Sequence, residues 1–224
     1  MASVLIFGIR EASRLACGYL RRDTGHRVVA YTVTNEFMPK DTMLDGIPVV
    51  PFESIGERYS PLDHSFIVPM SYRDHNRLRA RIYQSVKVLG YPLISYVSPR
   101  ATVFPGVAIG ENSMILEGCV ISPQCRIGNN VMAQAGCVIA HDAEIGDHAF
   151  LAPGVVISGL VRIEPYVFVG SGSVIRDQLT LGEGSFIAMG SVVREDTLPW
   201  VNYDGAPARP WSRGGECEDS HQAK

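Results

Sequence analysis

His141 and Asp142 are the residues best equipped for chemistry in this chain. An imidazole takes up and releases a proton near neutral pH better than any other side chain. Asp142, or Glu144 two places on, is suited to hold the second ring nitrogen and so fix the tautomer. His148 follows soon after, but two histidines without further ligands at suitable spacing do not make a zinc site. Cys17, Cys119, Cys125, Cys137 and Cys217 contain no CxxC pair. They read as small core residues in a reducing compartment, not as a disulfide or metal set.

Two other stretches offer donors to an anion. The first is Gly8-Ile9-Arg10-Glu11, which follows an apolar run. Only Gly8 is present where a dinucleotide turn needs three small residues. The Arg10 guanidinium can meet a phosphate instead, or simply pair with Glu11 on the surface. The second runs from Ser71 to Arg79 and packs Arg73, Arg77 and Arg79 with Tyr72, His75 and Asn76 into nine residues. It reads as a ligand loop with a helix start that adds its own anion site, or as a solvated helix face.

The elements that must position these residues are legible as a period of six. From Val97 an aliphatic residue returns every sixth place to Val193, with one miss at Ala133. A second track four places later is small or slender: Cys119, Cys125, Val131, Cys137, Ala143, Ala149. A six-residue period fits neither an α-helix nor hairpin strands. It is the mark of a parallel β-helix in which each rung stacks on the last. The lead aliphatics, Val97 included, are expected to fill the interior, with Gly, Asn and Asp turning the corners. His141, two places past Ile139, is then at a corner and not inside. Pro199, Trp200 and Pro207 are expected to close the open end of the prism.

Before the repeat the pattern changes. Apolar runs at 2–8, 27–33, 46–50, 65–69 and 92–97 alternate with helical segments at 11–22 and 76–89. That order predicts a small open α/β sheet, with ligands at the carboxyl ends of its strands. The expected division is 1–96 for this domain, 97–211 for the β-helix and 212–224 for a disordered polar tail. The chain has 224 residues, 46% hydrophobic and 19% charged, with a formal net charge of −3. There is no basic excess to attract nucleic acid. No apolar run approaches the ~18 residues of a membrane span. The N-terminus carries no leader pattern, so a cytoplasmic location is expected.

These residues carry a resemblance. The hexads with His141-Asp142, Leu151-Ala152-Pro153-Gly154, Val156-Ile157-Ser158-Gly159 and Gly205-Ala206-Pro207-Ala208-Arg209 resemble the sialic acid O-acetyltransferase and nucleotide-4-amino-sugar N-acetyltransferase family. The resemblance implies a Rossmann-like N-terminal domain and a left-handed β-helix. It implies a homotrimer with acetyl-CoA as donor, lying between neighbouring β-helices, and a sugar or nucleotide-sugar acceptor. By the same resemblance His141 is the general base and Asp142 its orienting acid, while Gly159 offers a backbone N–H to the thioester carbonyl. Ser171 and Met189 line the pantetheine channel, and Gly205 to Arg209 lies towards the nucleotide end of the donor. Phe150 stands where the family has a second histidine near the thioester. Gly8, Arg10 and Arg73 are the candidate acceptor contacts, and no metal is expected. Met114, Met132 and Phe150 are candidates for contact with a neighbouring subunit. The alternative is a non-catalytic β-helix trimer acting as a scaffold or small-molecule sensor. A γ-type carbonic anhydrase needs three metal-binding histidines, and only His141 and His148 lie in the repeat.

Overall fold

The structure, a computed structural model, describes residues 2–211. The expected tail at 212–224, with Cys217, lies outside the described residues.

The first part is an open sheet. Its strands are β1 (Ser3–Phe7), β2 (Arg27–Val33), β3 (Met43–Leu44), β4 (Ile47–Pro51) and β5 (His64–Ile67), in the order β3-β4-β2-β1-β5. β1, β2, β4 and β5 run parallel; only β3 is antiparallel. β3 escapes a reading by periodicity because it is two residues long. The turn behind it, Asp45-Gly46, has positive φ at both residues, as a tight hairpin requires. Helix α1 (Glu11–Asp23) follows β1, α2 (Ile55–Arg58) is a single turn, and α3 (Arg77–Val88) follows β5. One sheet face buries Leu5, Phe66 and Val68 against Tyr83 and Val86 of α3. The other buries Val4, Ile6 and Tyr31 against Ala16 and Leu20 of α1.

The second part is a parallel β-helix. Two-residue strands recur from Tyr96–Val97 to Val192–Val193, each in parallel register with the strand eighteen residues on, as in Val138↔Val156 and Ile139↔Ile157. Three strands therefore complete one coil, and three sheets form a prism. The lead aliphatics from Ile115 onward and the slender track fill its interior, with Ile139, Leu151 and Ile157 wholly buried. Each such side chain contributes about 1.5–3 kcal/mol. Val97 departs from expectation: at the first coil it is 41% exposed, because no coil precedes it.

The outward residue just before each lead position gives each face its character. One face carries Thr102, Val120, Val138, Val156, Val174 and Val192, and is called the valine face. The charged face carries Arg126, Glu144 and Arg162; the aromatic face carries Tyr96, Met114, Met132, Phe150, Phe168 and Phe186. The aromatic face is covered by the first part of the chain. Met114 and Met132 are 4% and 3% exposed and share a core with Val4, Ile6 and Tyr31. They are therefore intramolecular contacts, not the subunit contacts that a β-helix considered alone would make them.

The corners need two kinds of glycine. Gly136 and Gly154, between the aromatic and valine faces, hold positive φ. Gly128 and Gly146, which follow lead residues, have no positive φ; a Cβ there would meet the next coil's backbone at 2.9 and 2.7 Å. Their role is close approach, not turning. The far end of the prism is closed by the hairpin Asn202–Gly205/Ala208–Pro210, whose Tyr203 and Ala208 join the interior. Trp200 does not plug that end as expected. It lies outside, against Gly184 and beneath the Arg77 guanidinium, 4.1 Å from the ring centroid.

Candidate active site

His141 stands at the corner between the valine and charged faces. The backbone there is fixed by the neighbouring coils: Asp142 N–H donates to Pro123 O at 3.2 Å, and Leu160 N–H donates to His141 O at 3.0 Å. Asp142 takes φ 58°, a left-handed turn that a short polar side chain tolerates. The turn aims its carboxylate back at the ring, and His141 Nδ1 lies 2.9 Å from Asp142 Oδ2. Glu144, the other candidate, is held by Arg126 Nη1 at 3.3 Å. With Nδ1–H donating to Asp142, the neutral ring presents an unprotonated Nε2. The His141 side chain is 63% exposed, so that nitrogen is open to a substrate.

Gly159 occupies the same place one coil on. A Cβ there would lie 2.6 Å from His141 Nε2, so only glycine leaves room for the ring in this position. Its backbone N–H donates to no acceptor among the described residues. The corner thus pairs an oriented base with a free donor. Ser171 and Met189 lie elsewhere, at the corner between the valine and aromatic faces, with Gly190 N–H donating to Ser171 O. Met189 is 78% exposed. Within one chain the valine face separates these two from His141.

The N-terminal candidates leave a common edge of the sheet. β1 and β5 are neighbours in parallel register, Ile6↔Ile67, so the turn at Gly8 and the segment from Ser71 follow adjacent strand ends. Gly8 has φ 96°, and a Cβ would meet Ser13 Oγ at 2.5 Å. Arg10 is exposed at the start of α1 and forms no ion pair with Glu11 among the described residues. Arg73 is also exposed.

The rest of Ser71–Arg79 is a strap across the β-helix and not an open ligand loop. Tyr72 packs on Phe168, with centroids 4.2 Å apart, and on Phe150 at 5.5 Å. Phe150, expected near the thioester, lies in this stack beneath Arg79, away from the His141 corner. Arg79 is fully buried and donates to the carbonyls of Met70, His148 and Ala149. Burial pushes its pKa down to about 9, which still leaves it charged at neutral pH. Asn76 Nδ2 donates to Tyr166 O at 2.9 Å and ties the start of α3 to the β-helix.

Sequence reasoning gave little weight to the corner beneath that strap. Asn112, Asn130 and His148, eighteen residues apart, form a ladder: Asn112 Nδ2 donates to Asn130 Oδ1, and Asn130 Nδ2 to His148 Nδ1. Val68 N–H donates to Asn112 Oδ1 at 2.8 Å and ties the sheet to it. Burial pushes His148 down to about 4, against the opposing pull of Asp147, so it stays neutral. The column of polar residues at a spacing of eighteen was the available signal. Among the described residues no group of three His, Cys, Asp or Glu could hold a metal, and no helix is long and apolar enough to cross a membrane.

Residues 124–159 match the model of the bacterial transferase hexapeptide family, six repeats. No curated protein sequence matches the chain. Among solved structures, the acetyltransferase domain of PglB from Neisseria gonorrhoeae is 23% identical, with 94% of this chain and 100% of that one covered at a TM-score of 0.82. PerB from Caulobacter crescentus, solved with CoA and GDP-perosamine, is 24% identical over 95% and 98%, TM-score 0.82. WeeI from Acinetobacter baumannii is 21% identical over 94% and 100%, TM-score 0.81. The chain thus carries bacterial transferase hexapeptide repeats and shares its fold, nearly end to end, with these proteins.

Proposed function

We propose that this chain is an acyl-CoA-dependent transferase that acetylates an amino or hydroxyl group of a nucleotide-linked sugar, on a left-handed β-helix. The observation that carries the reading is the His141 corner: an exposed imidazole, oriented through Nδ1 by Asp142, with Gly159 against its Nε2. The shared fold supports it, since PerB was solved with CoA and an amino-sugar nucleotide.

In the proposed reaction the acceptor nitrogen or oxygen attacks the thioester carbonyl while Nε2 takes its proton. Asp142 stabilises the imidazolium that forms. The Gly159 N–H meets the oxyanion of the tetrahedral intermediate. Collapse breaks the C–S bond, and the imidazolium returns the proton to the departing thiolate. General-base help of this kind contributes about 10²–10⁴ in rate.

We propose further that the active form is a homotrimer packed through the valine face. Val120 and Val174 are 39% and 40% exposed, and none of the residues just before the lead positions of this sheet is charged. An adjoining copy would bring its Ser171 and Met189 towards His141, closing a donor channel that one chain leaves open. The N-terminal sheet, Rossmann-like in this reading, would hold the nucleotide at the Gly8, Arg10 and Arg73 edge.

Titration calorimetry with acetyl-CoA, then with UDP-, GDP- and dTDP-linked 4-amino sugars, tests the reading. Binding of acetyl-CoA and of one sugar nucleotide is expected. Absence of any acetyl-CoA binding would overturn it and favour the scaffold alternative.

A further inference from the structure

A cavity of about 500 Å³ opens between α3 and the β-helix, away from the His141 corner. Its floor is the corner between the charged and aromatic faces, where His148 and Tyr166 stand one coil apart. Trp200 extends the row. Ring centroids lie 4.8 Å apart from His148 to Tyr166 and 6.0 Å apart from Tyr166 to Trp200. Opposite them α3 presents Arg77, Arg81 and Gln84, whose spacings of four and three put them on one helix face. The volume falls within the range of small-molecule sites. This corner lies opposite the valine face, so packing through that face would leave it uncovered.

The polar groups there favour an anion. The Arg77 guanidinium lies over the Trp200 ring, 4.1 Å from its centroid, and forms no ion pair among the described residues. The ring holds the guanidinium by its face and leaves the N–H edge to a ligand. Arg81 commits Nη1 to Asp74 Oδ2 at 3.0 Å and keeps its other nitrogens. His148 is a donor as well, and the ladder behind it makes it one. The Val68 N–H can only donate, so Asn112 meets it with Oδ1 and gives Nδ2 to Asn130 Oδ1. Asn130 then gives Nδ2 to His148 Nδ1. The ring proton is left on Nε2, which has no hydrogen bond among the described residues. Of the lining residues only Glu183 is acidic.

An aromatic floor with donors along its rim suits a ligand that joins a flat ring to an anionic group. Every nucleobase has a face that stacks on aromatic side chains, and arginine forks match phosphate oxygens. We infer that this cavity is a non-catalytic site for a nucleoside phosphate, with the phosphate on Arg77 and Arg81 and the base against Tyr166 and Trp200. The bound ligand would brace α3 against the β-helix. The cavity shares no lining residue with the His141 corner or with the Gly8, Arg10 and Arg73 edge, and its chemistry is independent of the transferase reading.

The test is titration of the full-length protein with AMP, GMP, CMP and UMP, and with inorganic phosphate. Calorimetry reads binding, and Trp200 emission reports the site in Trp211→Phe, where Trp200 is the only indole. At least one nucleotide is expected to bind with a Kd below about 1 mM, to change Trp200 emission and to raise the melting temperature. Inorganic phosphate should bind more weakly. The double variant R77Q/R81Q changes two exposed residues, so the unliganded protein should nearly keep its melting temperature. Its affinity for the nucleotide should fall about tenfold or more, as loss of charge-assisted contacts implies. Absence of binding by all four nucleotides would overturn the site. So would phosphate binding as tight as nucleotide binding, since the rings would then add nothing. Binding that R77Q/R81Q leaves intact and R10Q/R73Q removes would assign the nucleotide to the sheet edge and overturn it too.

Discussion

A methyl group added at Gly159 would sit 2.6 Å from His141 Nε2, yet Gly159 does not use a left-handed φ. Gly159→Ala therefore isolates one effect: the backbone can accept alanine, and the imidazole cannot keep its place. The expected result is a fall in kcat of about a hundredfold, the usual cost of displacing a reacting group by an ångström, with the melting temperature nearly unchanged. Steady-state kinetics beside thermal melting checks it; near-normal kcat would show that Nε2 does not need that position. His141 was readable in the sequence because a histidine two places past a lead aliphatic must lie at a corner. From the residues alone Asp142 and Glu144 were both open as its partner, and the family resemblance pointed to Asp142; in the structure Asp142 Oδ2 lies 2.9 Å from His141 Nδ1 while Arg126, one coil back, holds Glu144.

At the scale of elements, the segment from Ser71 to Arg79 behaves unlike its composition. Its arginines and aromatics resemble a ligand loop, but Tyr72, Asn76 and Arg79 bind the prism. Among the described residues Arg79 forms no ion pair; it donates to three carbonyls from within the core. Arg79→Leu leaves the Met70 and His148 carbonyls without their donor, while Ala149 O keeps the Met132 N–H, and a loss of about 2–4 kcal/mol is expected in urea unfolding. A loss below about 0.5 kcal/mol would mean that the strap adds little.

The ladder beneath the strap also has a pH signature. His148 titrates near 6.5 when unfolded and near 4 when folded. Between those values the unfolded chain binds a proton that the folded chain refuses. Stability from this group is whole above pH 6.5, falls as pH drops towards 4, and is flat below. His148→Asn would continue the column of Asn112 and Asn130 in a left-handed turn that Asn tolerates. The variant should lose part of the slope of melting temperature against pH between 6.5 and 4. An unchanged slope would contradict the assignment.

The strap's role was hidden from sequence because it depends on which face of the prism the sheet covers. The apolar character of that face was legible, although Met114, Met132 and Phe150 were expected to meet a neighbouring subunit and not the chain's own sheet. Tyr96, Met114, Met132, Phe150, Phe168 and Phe186 recur at eighteen, a period that only appears once the hexads are folded into threes.

At the scale of the whole molecule, the three faces divide the labour. The aromatic face is taken by the chain's own N-terminal sheet. The charged face carries its own ion pairs. The valine face is left uncovered, and the proposed trimer follows from it. Val156→Glu, in the middle of that face, is expected to yield a monomer by sedimentation with little change in β-sheet signal, and to abolish turnover. A monomer that stayed active would contradict a donor channel shared between copies. The period of six announced the coil and its length, because an interior that narrow admits one aliphatic per strand. It could not announce which side would meet the sheet, since that depends on contacts between residues as distant as Val68 and Asn112.

The central claim is that His141 moves a proton during acyl transfer to a sugar nucleotide. The most direct measurement is acetyl transfer from acetyl-CoA to a panel of nucleotide-linked amino sugars, followed by mass spectrometry, for wild type and His141→Asn. Wild type is expected to add one acetyl group to at least one acceptor, and the variant to be slower by about 10²–10⁴ with unchanged affinity for CoA. Transfer by the variant at the wild-type rate, or no transfer by wild type to any acceptor, would contradict the account.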